Sequence, residues 1–191
     1  MSLDLPGFAE PVGAAQATFR AVLDAMARPG RIRAAGAALR PPAPLDRATA
    51  ALLLTLADAD TPLWLTADCD LARDWIAFHC GAPFAADPAR AAYAVAIGLP
   101  DLASFDAGSD DAPERSATLI VQVRGFDAGQ MLHLAGPGLR APATLSVDGL
   151  PPDFPESWAR NHGLYPRGID LILCAGAALV ALPRSLAVER G

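Results

Sequence analysis

Few residues in this chain have types that lend themselves to chemistry: three cysteines, three histidines and charged groups on short turns. His79 and Cys80 are adjacent, but neighbours on a helix point about 100° apart and do not face one another. The pair reads as a half-buried helix end beside a small apolar thiol. Cys174 lies inside Leu171-Ile172-Leu173-Cys174-Ala175, a core context. His133, between Leu132 and Leu134, faces either the polar side of its strand or a buried partner. His162 falls near a helix C-terminus, where the dipole favours its charged form. No two histidines have metal-ligand spacing, and the sequence predicts neither a metal nor a cofactor. Three widely spaced cysteines without a Cys-x-x-Cys fit a reducing compartment, the cytoplasm, better than a disulfide framework.

Gly136-Pro137-Gly138 follows a predicted strand. It lacks the further glycine and helix of a dinucleotide fingerprint and the lysine and serine of a P-loop. A turn requiring positive φ is the simpler account. Glu114-Arg115-Ser116 stands immediately before the best strand, at the rim of a sheet where function is often built. A solvated loop end, with Ser116 bonded to nearby backbone, is the alternative. Arg28, between a helix and Pro29-Gly30, and Arg184, after Pro183, are also held on turns. Rigidly placed guanidinium groups suit phosphate or carboxylate recognition, or a partner's acidic surface. Arg28, Glu114, Arg115, Ser116 and Arg184 are therefore the candidate functional or interface residues, with no catalytic role assigned.

The composition narrows the chemistry. All fifteen basic residues of this 191-residue chain are arginine. Without lysine it forms no pyridoxal phosphate Schiff base, presents no P-loop lysine and has no Ser-x-x-Lys pair. Alanine occurs 42 times, and the net charge is −6. With scattered arginines and a negative total, the chain lacks the basic face of a nucleic-acid binder. At 52% apolar and 19% charged, it builds a core. The length suits one domain, residues 1–191. The N-terminus reads as no signal peptide, and the longest apolar run, residues 171–182, is too short to span a bilayer.

These residues need elements to position them. Helical spacing predicts a helix over 12–27, with Val12, Ala15, Phe19, Val22, Leu23 and Met26 on a buried face. Arg28-Pro29-Gly30 ends it. After a stiff Pro41-Pro42-Ala43-Pro44 connector, Asp46 is placed to cap a largely buried helix reaching Leu56. Asp70 is placed to cap a second, through His79, carrying Trp75 and Phe78, with Gly81 as its stop. Strands are predicted over 62–65, 93–97 and 117–123. The stretch 101–113 reads as a loop. Asp127-Ala128-Gly129 is expected to turn the chain into an antiparallel hairpin with 131–134. A strand at 144–147, a short helix around 156–162, and a strand pair 169–174 and 179–182 joined through Gly176 complete the order. Helices and strands do not alternate strictly, so the fold class is α/β with a mixed sheet of about six strands covered by helices.

Taken together, these segments resemble the phosphonate-metabolism PhnH family. The resemblance rests on Phe19-Arg20-Ala21-Val22-Leu23-Asp24-Ala25-Met26-Ala27-Arg28-Pro29-Gly30, on Leu52 to Leu56 with Thr61-Pro62-Leu63-Trp64-Leu65, and on Glu114-Arg115-Ser116-Ala117-Thr118-Leu119. Gly136-Pro137-Gly138, Gly149-Leu150-Pro151 with Phe154, Pro166-Arg167-Gly168-Ile169-Asp170-Leu171 and Ala181-Leu182-Pro183-Arg184-Ser185 follow in family order. Departures are mild: Tyr165 stands where phenylalanine is expected, and Ser185 where threonine is.

The resemblance implies a subunit of the carbon–phosphorus lyase machinery, working with sister subunits PhnG, PhnI and PhnJ and linked to the ATPase-like PhnL. In that scheme a phosphonate replaces adenine at the ribose C1 of ATP, giving a ribose 1-phosphonate 5-triphosphate. Nucleosidase chemistry is attributed to PhnI and the later radical cleavage to PhnJ. The resemblance further implies a fold like the large domain of pyridoxal-phosphate-dependent transferases without that cofactor, and a homodimer when isolated. A free-standing enzyme that grips a nucleotide or phosphonate through Arg28, Arg115 or Arg184 is the rival reading.

Overall fold

A computed structural model describes residues 5–191. Its core is a six-stranded sheet in the order β1-β8-β7-β4-β3-β2. The strands are β1 (Arg33–Ala34), β2 (Leu63–Leu65), β3 (Tyr93–Ile97), β4 (Thr118–Gln122), β7 (Asp170–Ala175) and β8 (Ala178–Leu182). β2, β3, β4 and β7 run parallel, β8 pairs antiparallel with β7, and β1 pairs antiparallel with β8, so the sheet is mixed, as the order of elements predicts. A second sheet, β6-β5-β9, joins β5 (Gly125–Ala135), β6 (Ala143–Asp148) and β9 (Ala187–Arg190).

Alternation along the central strands builds two cores. Ile120 and Ile172 face helices α1 (Pro11–Ala27), α2 (Arg47–Leu56) and α3 (Arg73–Cys80). Leu119, Val121, Leu171 and Leu173 face the second sheet and α4 (Phe154–His162). A strand buried on both faces reads as a near-continuous apolar run, which is why β4 and β7 carry polar residues only at their ends, Thr118 and Gln122 on one and Asp170 on the other. The result is three layers: helices, the mixed sheet, then the small sheet with α4.

Most of the expected elements form, but four expectations need correction. First, α1 forms but turns differently. Thr18, Val22 and Ala25 are buried, whereas Val12, Phe19 and Leu23 are exposed at 73%, 47% and 52%. The small-residue stripe lets α1 approach α2 and β8 closely, and Phe19 or Leu23 on that face would hold the helices apart. Second, α3 begins only at Arg73, after a 3₁₀ segment (Ala67–Ala72). Asp70 does not cap it but bonds Arg73, and Phe78 faces solvent. Gly81 does end the helix, at φ 66°.

Third, Asp127-Ala128-Gly129 makes no hairpin with the strand before it. β5 runs through these residues with a register irregularity between Gly125 and Gln130, and pairs with β6 and β9. Such a bulge bends the strand without ending it. β4 and β5 therefore belong to different sheets, with Val123 still bonded to Cys174 and Arg124 already bonded to Asp148. Fourth, Asp46 precedes α2 but makes no side-chain cap. Its carboxylate accepts from the Gly176 amide 130 residues away, at 3.0 Å.

Candidate functional site

The hairpin register Leu171↔Leu182 places the start of β7 beside the end of β8. Asp170 opens β7 and Arg184 follows Pro183, so carboxylate and guanidinium meet at the amino-terminal edge of the parallel strands. Arg184 Nη2 donates to Asp170 Oδ2 at 2.7 Å, and Nε and the backbone amide reach Oδ1 at 3.3 and 2.7 Å. The two side chains are 17% and 11% exposed. Nη1 donates to the Pro113 carbonyl at 2.5 Å, pinning the short 3₁₀ turn Pro113–Arg115. Such forked, charge-assisted bonds are the strong kind.

Further bonds brace this corner. His162 Nδ1 lies 3.0 Å from the Arg184 carbonyl oxygen, which makes that nitrogen the donor. Asn161 is buried at the end of α4 and clasps Ile169 from both sides, donating to its carbonyl at 2.9 Å and accepting its amide at 2.7 Å. The Gly168 amide donates to Ala107. These contacts join α4, β7, β8 and the 101–117 loop into one rigid piece.

The structure thus brings four of the five candidate residues together. Arg184 is the clamp. Glu114 and Arg115 ride on the turn it holds, both exposed, and neither forms an ion pair among the described residues. Ser116 is buried, and its hydroxyl has no hydrogen-bond partner among the described residues. Arg28 stands apart at the end of α1, paired with Asp24, which also takes Arg33. Between the two regions lies the Gly136-Pro137-Gly138 turn. Gly138 (φ 87°) sits so close to the Ala27 carbonyl and the Pro29 ring that no side chain fits. Gly136 faces the Ser185 carbonyl. The glycines therefore dock α1 onto the β8–β9 connection.

Asp170 and Asn161 are positioning groups that the sequence reading did not single out, and His162, read there only as a helix-end residue, joins them through its bond to the Arg184 carbonyl. Asp170 carries a visible signal, an acidic residue opening an otherwise apolar strand. Asn161 carries none, because an asparagine in a short helix is unremarkable until its partner is known.

Open α/β sheets usually take ligands at the carboxyl ends of their strands. Here that edge is strapped by the chain itself. Gln122, the last residue of β4, accepts the Asp46 amide at 2.6 Å and donates to the Pro44 carbonyl at 3.0 Å. Asp46 in turn holds Gly176. Burial pushes the Asp46 carboxyl above its ordinary value, opposed by the Gly176 bond and by Arg47. Burial also pushes the Cys174 thiol up to about 12 and Cys80 up to about 11. Thiols so shifted are poor nucleophiles.

A family model described as bacterial phosphonate metabolism protein (PhnH) matches residues 6–189. The chain is 42% identical over 188 residues to the alpha-D-ribose 1-methylphosphonate 5-triphosphate synthase subunit PhnH of Rhizobium meliloti (strain 1021), covering 96% of this chain and 94% of that one. It is 36% identical over 78 residues to the putative C-P lyase subunit protein HtxG of Stutzerimonas stutzeri, covering 41% and 40%. With the family model spanning nearly the whole length, and the full-length relative agreeing, the chain belongs to the bacterial phosphonate metabolism protein (PhnH) family.

Proposed function

We propose that this chain is a subunit of the ribose 1-methylphosphonate 5-triphosphate synthase and carbon–phosphorus lyase assembly, where it organises catalytic neighbours in organic phosphonate catabolism. The near full-length similarity to the Rhizobium meliloti subunit carries this reading. The geometry supports an assisting role. Every guanidinium nitrogen of Arg184 is engaged within the fold, the carboxyl edge of the sheet is strapped, and two of the three thiols are strongly shifted upward. Its partners in this reading are PhnG, PhnI and PhnJ, with PhnL acting alongside, in the cytoplasm. Among the described residues no helix is long and apolar enough to cross a membrane.

On its own the chain pairs with a second copy in this reading. The exposed Val12, Phe19 and Leu23 on α1 support this, because apolar surface of that kind marks an interface. The sheet would be a relative of the large domain of pyridoxal-phosphate-dependent transferases without the cofactor, in keeping with a sequence that has no lysine. Co-expression with PhnG, PhnI and PhnJ homologues tests the proposal: a stable co-purifying assembly is expected, and failure to associate at micromolar concentration overturns it.

The rival is a free-standing nucleotide- or phosphonate-binding enzyme. Arg115, exposed and without an acidic partner beside the unbonded Ser116 hydroxyl, is the feature that favours it. Calorimetric titration of the isolated chain with ATP and methylphosphonate separates the two. Saturable heat that disappears in Arg115→Ala supports the rival, and no heat supports the assisting subunit.

A further inference from the structure

The arginines are not spread evenly over the fold. On α1, Arg20, Asp24 and Arg28 follow one another at four-residue spacing and so share a face. The Asp24 carboxylate takes both Arg28 and Arg33. Arg31 rides on the turn after Arg28, its amide donating to the Arg28 carbonyl at 3.2 Å. Arg140 lies two residues beyond Gly138, which abuts the Ala27 carbonyl and the Pro29 ring. Five arginines therefore gather where α1 ends, with one carboxylate among them.

No further acid offsets them. The segments that pack at this end, residues 11–45, 128–147 and 171–188, contain Asp24 and no other acidic residue. Glu10 stands at the opposite end of α1, and the Asp46 carboxylate is bonded to the Gly176 amide. Arg20, Arg31 and Arg140 are exposed, and none of the three forms an ion pair or donates a side-chain hydrogen bond among the described residues. A chain of net charge −6 thus carries a local positive surplus, held on a turn that Asp24 and Gly138 fix.

The surface between the arginines is apolar. Ile32 is exposed between Arg31 and Arg33, and Phe19 and Leu23 are exposed on α1. A phosphate-bearing ligand would meet the guanidinium groups and leave that apolar surface in water, and a nucleic acid would be repelled by the rest of a negative chain. Arginine mixed with aromatic and aliphatic side chains is the composition of a protein contact. A second copy paired through α1 brings arginines and, from the same end, only Asp24, so self-pairing leaves the surplus unmatched.

We infer that the arginine end of α1 receives an acidic surface of a sister subunit, its carboxylates meeting Arg20, Arg31 and Arg140 around the exposed Ile32. This rests on the subunit reading above. Asp24 acts as a positioning residue, holding the guanidinium groups of Arg28 and Arg33 beside the contact.

The experiment is a binding titration of the tagged full chain against co-expressed PhnG, PhnI and PhnJ homologues, at low and at high salt. The double variant Arg20→Glu with Arg31→Glu reverses two charges of the surface and Arg140→Glu a third. Arg90→Glu, the control, reverses an exposed arginine just before β3, on the far side of the sheet from β1. Affinity is expected to fall about tenfold or more for the double variant, to fall less for Arg140→Glu, and to stay at the wild-type value for Arg90→Glu. Added salt should weaken the wild type more than the double variant. Far-UV circular dichroism and thermal unfolding check each fold, and the two single reversals stand in where the double variant does not fold. Wild-type failure to bind removes the subunit reading and this surface with it. Wild-type binding with unchanged affinity in the folded double variant overturns the surface alone. Saturable binding of tripolyphosphate or a single-stranded oligonucleotide, lost in the double variant while the assembly is unaffected, assigns the arginines to a phosphate polyanion and overturns the proposal. Loss of self-association in that variant, with the assembly unaffected, transfers the surface to a second copy and likewise overturns it.

Discussion

Arg184 and Asp170 form a forked ion pair in which one guanidinium also reaches the Pro113 carbonyl, so a single side chain ties the end of β8 to the start of β7 and to a turn 71 residues earlier. The pair is mostly buried, and each partner would be left in poor solvent if the other were removed.

Arg184→Ala is therefore expected to destabilise the fold by about 3 kcal/mol, the order seen when one member of a buried pair is lost. Arg184→Lys should recover little, since an ammonium cannot fork onto Asp170 while also reaching Pro113. A double change, Arg184→Met with Asp170→Asn, should cost less than the two single changes added together. Urea midpoints measured on all five variants, the single changes Arg184→Met and Asp170→Asn included, check this.

Asp46 gives the stability a pH dependence. Its folded carboxyl titrates above the ordinary 3.8, mainly because burial disfavours the charged form. Between that value and the raised folded one, the native state binds more protons than the unfolded state, so this group's contribution falls as pH rises. Asp46→Asn keeps an acceptor for the Gly176 amide and removes the titration. Its stability should lack this decline across the acid range, and denaturant titrations at several acidic pH values read the difference between the two slopes.

The three free cysteines should be slow toward an aromatic disulfide reagent at pH 8. Cys69 and Cys174 are buried, and burial raises Cys174 to about 12 and Cys80 to about 11. Three thiols per chain should then react in denaturant. Rapid native-state reaction of Cys174 would contradict its place in the core.

Phe19→Ser and Leu23→Ser should change monomer stability by only about 0.5 kcal/mol, because both side chains already face water. Val22→Ser, one position away but buried, should cost about 2 kcal/mol or more. Chemical denaturation at low protein concentration separates these effects from any loss of self-association, which the first two variants should also weaken.

Local pattern made much of this legible. The apolar run of β4, the leucine-rich α2, the β7–β8 pair around Gly176 and the stop at Gly81 all follow from periodicity and turn chemistry acting over a few residues. Of the expected α1 face, Val22 goes inside and Met26 packs against the core, while Val12, Phe19 and Leu23 stay exposed, for a definite reason. Its apolar residues wrap more than one stripe, and only contact with α2 and β8 decides that Thr18, Val22 and Ala25 go inside. The Asp-Ala-Gly segment has the composition of a turn, yet its place in β5 depends on β6 and β9 to receive it.

The candidate site divides in the same way. The types of Arg28, Glu114, Arg115, Ser116 and Arg184, and their places on turns and strand ends, are properties of the sequence, and so are the family's ordered segments and the chemistry closed to a chain without lysine. Which of them meet is not. Arg184 finds Asp170 through a hairpin register, reaches Pro113 only because β7 lies beside β4, and leaves Arg28 on the far side of a glycine turn. Asp46 is drawn from a helix cap to an amide 130 residues away because the carboxyl edge of the sheet offers it a buried donor. Sequence fixes local preference through nearest-neighbour sterics and hydrophobic period. Long-range pairing of buried polar groups is decided only when the layers pack, since leaving such groups unpaired costs more than any local preference supplies.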